Sequence, residues 1–360
     1  MMGDMNLMPI SVWALFFGGR MMKLYSNEIV FRGHPDKICD QIAGAILNAY
    51  LKGDAKSRVA VEVMIKDEQV FIVGEVTSKA NVDIEGIAKR VIKDIGYKEE
   101  YNVLVKLSKQ SQDISDGVDV LGAGDQGMMF GYACNDTKEL LPVAMVILQD
   151  LAKWYDELVH SNNNFFPDGK AQITGLYDDD FNLVAIDTFL VSYCNLEEHR
   201  DITDKLITNK INSLCKKYNL AEPKRILINP TGKFLLGGSF ADSGLTGRKI
   251  VVDSYQGFAN VGGGSMNGKD PTKVDISAAY KARELAKRLL KEKGLKWCEV
   301  QLSYAIGVAR PMAIYVDSDK GNIECDDSLY QECEPKNIIR DLKLLEVDYE
   351  EKAKYGHFSD

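Results

Sequence analysis

Residues 237–275, GGSFADSGLTGRKIVVDSYQGFANVGGGSMNGKDPTKVD, interleave nine glycines with Arg248, Lys249, Lys269 and Lys273 and with the acids Asp242, Asp253, Asp270 and Asp275. Glycine lets a backbone adopt positive φ and bring its N–H groups against a ligand, while lysine and arginine supply fixed charge for several phosphate oxygens. The predicted ligand is a polyphosphate. Asp270 and Asp275, beside Lys269 and Lys273, add a candidate cation site, because Mg2+ commonly enters with a few carboxylates and the substrate's own phosphates. Two ordinary glycine turns with solvated charges are the plainer alternative for either loop taken alone. Neither loop has the GxxxxGK[ST] spacing of a P-loop or a GxGxxG after a strand.

A second candidate is His34, which precedes Pro35 and Asp36 at the start of a helical pattern over 36–51. A helix N-terminus carries partial positive charge and suits an anionic group, toward which His34 can donate a hydrogen bond. Read alone, His34 is more simply a cap and Asp36 a compensator of the helix dipole. Glu62 and Glu75 fall in β-rich runs, where a carboxylate usually faces water. Around Asp125 and Gln126, Gly122, Gly124, Gly127 and Gly131 leave little room for a regular element, which predicts a functional loop.

These groups need a scaffold, and the pattern supplies one. After a first strand from Leu24 and the helix over 36–51, a hairpin over 59–65 and 69–76 is followed by a helix over 82–95 and a strand over 101–107. A helix over 140–158, a strand pair over 170–176 and 183–193, a helix over 201–218 and a strand over 225–229 repeat that order. Ile250, Val251 and Val252 read as a buried strand between the two glycine clusters. Beyond them come a helix over 277–293, strands over 300–308 and 313–316, and a short helix over 335–342. The expected fold is α+β, three similar units with helices on one face of each sheet.

The chain has 360 residues and a formal net charge of −9, which argues against a general nucleic-acid binder and makes phosphate binding a local affair. Seven scattered cysteines with no CxxC pair point to free thiols in a reducing compartment and to no zinc site. No apolar run approaches the roughly 20 residues that span a membrane.

Taken together, GHPDKICDQI, GAGDQGMMFGYA, NPTGKF, GLTGRKIVVDSY, GGGSMNGKDPTKVD, SAAY, SYAIGVA and YGHF resemble the methionine adenosyltransferases, in that family's order and over nearly the whole chain. The resemblance implies three α+β domains with approximate threefold pseudo-symmetry, here 22–119, 120–238 and 239–360 behind an extension over 1–21. It implies a cytoplasmic homodimer or dimer of dimers with active sites between subunits, and no nucleic-acid or membrane partner. The family's substrates are ATP and L-methionine. The sulfur attacks C5′ of the ribose, tripolyphosphate leaves, and it is then hydrolysed to pyrophosphate and phosphate with two Mg2+ and K+ assisting.

By resemblance, His34, Lys170, Arg248, Lys249, Lys269 and Lys273 are catalytic. Asp125, Asp168, Lys233, Phe234, Asp242 and Ser265 join His34, Lys170, Arg248, Lys249 and Lys269 around ATP. Glu75, Gln110, Asp242 and Lys273 meet methionine. Asp36 and Asp275 hold Mg2+, and Glu62 holds K+. Four residues depart from the family's pattern in or beside the motifs: Arg32 replaces an acid, Ile276 an arginine, Gln256 a glycine and Ser265 an alanine. Arg32, two residues before the histidine, is expected to shift activity or substrate tolerance. A short loop over 118–121 is expected to leave the site entrance more open, and the end at Asp360 to alter oligomer contacts. A catalytically weak, regulatory paralogue is the competing reading, and a phosphotransferase the third.

Overall fold

A computed structural model describes residues 16–17, 20–109 and 122–359 and shows three main sheets, each packed against a long helix. Phe16–Phe17 and Arg20–Met21 form a short pair ahead of them. The first segment runs β1 (Lys23–Val30), α1 (Pro35–Gly53), the hairpin β2 (Arg58–Lys66) and β3 (Gln69–Thr77), α2 (Ile84–Ile95) and β4 (Asn102–Ser108). The second repeats it with β5 (Gly127–Cys134), α3 (Val143–Ser161), β6 (Phe165–Tyr177), β7 (Leu183–Asn195), α4 (Arg200–Lys217) and β8 (Arg225–Ile228). The third holds β9 (Gly244–Leu245), the one-turn α5 (Ile250–Asp253), α6 (Val274–Lys293), β10 (Trp297–Tyr304) and β11 (Ala313–Ser318). It closes on α7 (Asp327–Glu332), α8 (Pro335–Asp341) and α9 (Tyr349–Tyr355).

In each segment the first strand pairs antiparallel with another segment's hairpin: β1 with β6, β5 with β10, β9 with β2. The exchange closes a ring, so each sheet carries one strand from a different stretch of sequence. The sheet orders are β9-β2-β3-β4, β8-β7-β6-β1 and β11-β10-β5. Alternation decides the faces. Val59, Val61, Val63 and Ile65 of β2 are buried against α1, whereas Glu62 and Met64 face outward. One apolar cluster joins α1, β2 and β3 to α6 and β10, and a second joins α3, β6, β7 and α4.

Three local expectations change. Ile250, Val251 and Val252 are not a strand but part of the one-turn α5, whose Val251 is exposed. The Asp253 and Ser254 amides donate to Lys249 and Ile250, and no open sheet edge receives the triplet. The glycine-rich run expected as a loop contains β5, because Gly131 lets that strand lie against the α6 backbone: a Cβ there would come within 1.9 Å of the Ala282 carbonyl carbon. The helix expected over 277–293, α6, begins at Val274, not Ser277, which puts Asp275 in its first turn.

Candidate active site

His34 is the N-cap of α1 in extended conformation, and its Nδ1 accepts the Asp36 amide at 3.2 Å. An acceptor at Nδ1 places the ring proton on Nε2. Burial, with Lys249 next, pushes the imidazole down to about 3, so the ring is a neutral donor near pH 7. The backbone delivers it to β6: Phe31 N donates to Gly169 O at 2.9 Å and Gly33 N to Pro167 O at 3.2 Å. Gly33 admits this approach, since a Cβ there would meet the Pro167 Cβ at 2.2 Å. GHPD and FPDGK are thereby brought side by side.

Lys170, Lys249, Asp36 and Asp242 all act electrostatically on His34. The β9 strand, tied to β2, carries Leu245 N to Asp36 Oδ1 at 2.9 Å. Lys249 Nζ lies 2.5 Å from Asp36 Oδ2, with Arg248 Nε 3.6 Å from Oδ1. Burial would raise the Asp36 carboxyl, but the Lys249 and Leu245 hydrogen bonds outweigh it and hold the group below its usual range. Asp168 is buried, with Oδ2 accepting Gly238 N at 2.8 Å and Oδ1 left without a partner among the described residues. Burial pushes its carboxyl up to about 6 against the pull of that amide and Lys170. A cleft of about 330 Å3 leads from Asp168 past Cys194 to Leu235 and Leu236, which directly follow Lys233 and Phe234.

A second group sits at the other end of the glycine stretch. Lys269 Nζ is 2.5 Å from Asp275 Oδ2, and Gly264 packs so closely that a Cβ would overlap that carboxylate. Lys269 also bridges Ala60 on β2, placing it near Glu62, whose carboxyl is raised by burial against the opposing pull of Thr246 and Lys269. Glu75 stands opposite Ala60 on β3. Ser265 lies against Gly247, and Lys273, the N-cap of α6, pairs with Asp270. Asp125 occupies an exposed turn just before Met128–Phe130, which line a small cavity with Gly264 and Asp275. The expected ATP, methionine and metal residues therefore sort into two groups of one chain. Gln110 and the short loop over 118–121 lie outside the described residues.

Asp270 corrects the cation-site expectation. It is buried and fully engaged by Val59 N, Thr272 and Lys273, so it braces the loop. Sequence reading missed Lys37 and Asp40, both buried on α1. Their signal was two opposite charges lodged among apolar positions of one helix.

All three parts of one family match in order: S-adenosylmethionine synthetase N-terminal domain over residues 22–116, central domain over 120–234 and C-terminal domain over 236–360. The chain belongs to the S-adenosylmethionine synthetase family. It is 43% identical over 356 residues to S-adenosylmethionine synthase of Mycoplasmopsis synoviae (strain 53), covering 94% of this chain and 92% of that protein. It is 43% identical over 383 residues to the synthase of Synechococcus sp. (strain CC9902), covering 93% and 94%. For that of Prochlorococcus marinus (strain MIT 9515) the identity is 42%, covering 93% and 92%.

The synthetase family's three α+β domains are those expected from the motifs. Among the described residues no helix is long and apolar enough to cross a membrane, and the seven cysteines are free. No group of three or more His, Cys, Asp or Glu side chains among those residues is arranged to hold a metal ion alone. The carboxylates of Asp36 and Asp275 nevertheless fit Mg2+: each is a hard oxygen donor held by a lysine that an arriving phosphate can draw away.

Proposed function

We propose that this chain is an S-adenosylmethionine synthase, a methionine adenosyltransferase that joins ATP to L-methionine. The observation that carries the reading is the gathering of Lys170, Arg248, Lys249 and Asp36 about a neutral, buried His34 at a helix N-terminus. A thioether sulfur has no proton to lose, so the reaction needs no side-chain nucleophile. Its lone pair forms the bond to C5′ while the C5′–O5′ electrons leave with the triphosphate chain. His34 Nε2–H donates to the leaving oxygen, and Lys170, Arg248, Lys249 and Lys269 stabilise the phosphate charge that accumulates. Tripolyphosphate is then hydrolysed to pyrophosphate and phosphate.

The buried Asp168 Oδ1, without a partner among the described residues, is suited to accept a hydrogen bond from the nucleoside, beside Lys233 and Phe234. Asp242, Glu75, Lys273 and Gln110 form the methionine side, while Asp125 and Ser265 border the nucleotide. Two Mg2+ ions would be held by Asp36 and Asp275, and K+ by the half-buried Glu62. When bound, these cations neutralise charge on the phosphate oxygens.

The working unit is a homodimer, or a dimer of dimers, located in the cytoplasm, with domains over 22–119, 120–238 and 239–360. Glu62 and Glu75 project from the same sheet face as the exposed Met64, Val73 and Leu104. An apolar face around polar site residues is the surface another subunit covers.

The test is to supply purified protein with ATP, methionine, Mg2+ and K+ and identify the products. The expected result is methionine-dependent sulfonium product with equal amounts of phosphate and pyrophosphate. ATP consumption without a sulfonium product overturns the reading.

A further inference from the structure

The ammonium of Lys37 is buried, with Nζ 3.2 Å from Asp40 Oδ2 and 2.5 Å from Asp253 Oδ1. Asp40 uses its other oxygen to accept Gly247 N at 3.0 Å, immediately before Arg248 and Lys249. Asp253 closes the same short stretch, its amide donating to Lys249 O at 2.8 Å. One buried cation thus ties α1 to both ends of the turn that presents the two phosphate-binding side chains.

The C-terminal motif reaches this turn from the opposite side. His357 N donates to Asp253 O at 2.9 Å, and Phe358 stacks on Tyr255 with ring centroids 5.1 Å apart. Gly356 permits the approach, at φ +103°, with the Asp253 carbonyl against it. The buried His357 ring spans onward, Nε2 to Asn267 Oδ1 and Nδ1 to Tyr280 Oη, both at 3.0 Å. Asn267 lies on the second glycine loop, two residues before Lys269, and its backbone N–H donates to Ser265 Oγ at 3.2 Å. His357 therefore touches the stretch that carries Arg248 and Lys249 and the stretch that carries Lys269.

We propose that Lys37 and the Gly356-His357-Phe358 hook form a positioning device that fixes the two phosphate-binding loops relative to each other. An apolar core of equal volume stabilises a fold at least as well as a buried ionic network, so stability alone does not account for so many buried polar groups. Register does. Every bond in this network except the one to Tyr280 ends on α1 or on a loop next to a phosphate-binding cation. The device serves the grip on the triphosphate chain and leaves the methionine side alone. It rests on the function proposed above.

The experiment measures binding of inorganic tripolyphosphate, with Mg2+, to the full-length assembled protein, together with the KM values for ATP and methionine. His357→Ala and Asn267→Ala are expected to weaken tripolyphosphate binding and raise KM for ATP about tenfold, with KM for methionine changed by less than about twofold. His357→Gln, which can still donate to Asn267, should recover part of the loss. Unchanged tripolyphosphate affinity with only a lower melting temperature overturns the proposal and leaves a purely structural tie. If the alanine variants fail to fold, Tyr280→Phe keeps the ring and removes one His357 contact. It should weaken tripolyphosphate binding about threefold, and wild-type affinity there overturns the device equally. Wild-type protein that binds no tripolyphosphate sinks the proposed function itself, a distinct outcome.

Discussion

Arg32 stands two residues before His34, yet its guanidinium works on the scaffold. Nε donates to Gln41 at 2.7 Å, and one terminal nitrogen lies 3.2 Å from Asp156 on α3, which Tyr355 also engages. These contacts predict an effect on stability, which measurement can separate from the expected effect on activity. Arg32→Met leaves the mostly buried Asp156 with the Tyr355 hydroxyl but without its guanidinium, and should lower unfolding free energy by about 2–3 kcal/mol, less than a fully buried pair because Asp156 retains some solvent contact. Urea unfolding measures the loss, and unchanged KM values for ATP and methionine separate it from a role at the site. The residue was visible in sequence, but its direction was not. Nothing in FRGH states that α3 and α9 lie within reach. His34, by contrast, was legible, because Pro35 and the apolar spacing after it fix a helix start, and a helix start fixes a cap.

At the level of elements, periodicity read well wherever one face of a strand or helix is apolar, as in β2, β3, α1 and α2. It failed where close packing demanded glycine. β5 looked like loop because Gly127 and Gly131 carry no side chain to reveal alternation, although Gly131 is what seats the strand on α6. It failed again at Ile250, Val251 and Val252, where the bonds from Lys37 and His357 around Asp253 override β propensity. The same close packing makes Gly264 an element-level lever. A Cβ there would meet Asp275 Oδ1 at 2.1 Å, and the obstacle is a side-chain carboxylate on the first turn of α6, which can swing aside. Gly264→Ala should therefore leave the melting temperature nearly unchanged while raising the Mg2+ concentration for half-maximal turnover about tenfold, since that carboxylate is a proposed metal ligand. Wild-type Mg2+ dependence would remove Asp275 from the metal site.

The whole molecule is a ring of three segments that exchange first strands, a pattern no stretch of sequence displays because each pairing joins residues far apart in the chain. Strand exchange has a functional consequence: it places β9, and with it Arg248 and Lys249, against α1 and His34, although more than 200 positions separate them. The glycine stretch that looked like a single phosphate-binding site therefore serves two places, Arg248 and Lys249 beside Asp36, Lys269 beside Asp275. If a complete site takes the first group from one subunit and the second from its partner, Lys170→Met and Lys269→Met should each be inactive as pure proteins. Mixed and reassembled together, half the dimers are heterodimers, each with one doubly altered site and one intact site, so turnover should recover to about a quarter of wild type. If both groups instead act within one chain, every site in the mixture keeps one lesion. Turnover then stays at the level of the single variants, and size-exclusion of the mixture confirms that subunits have exchanged.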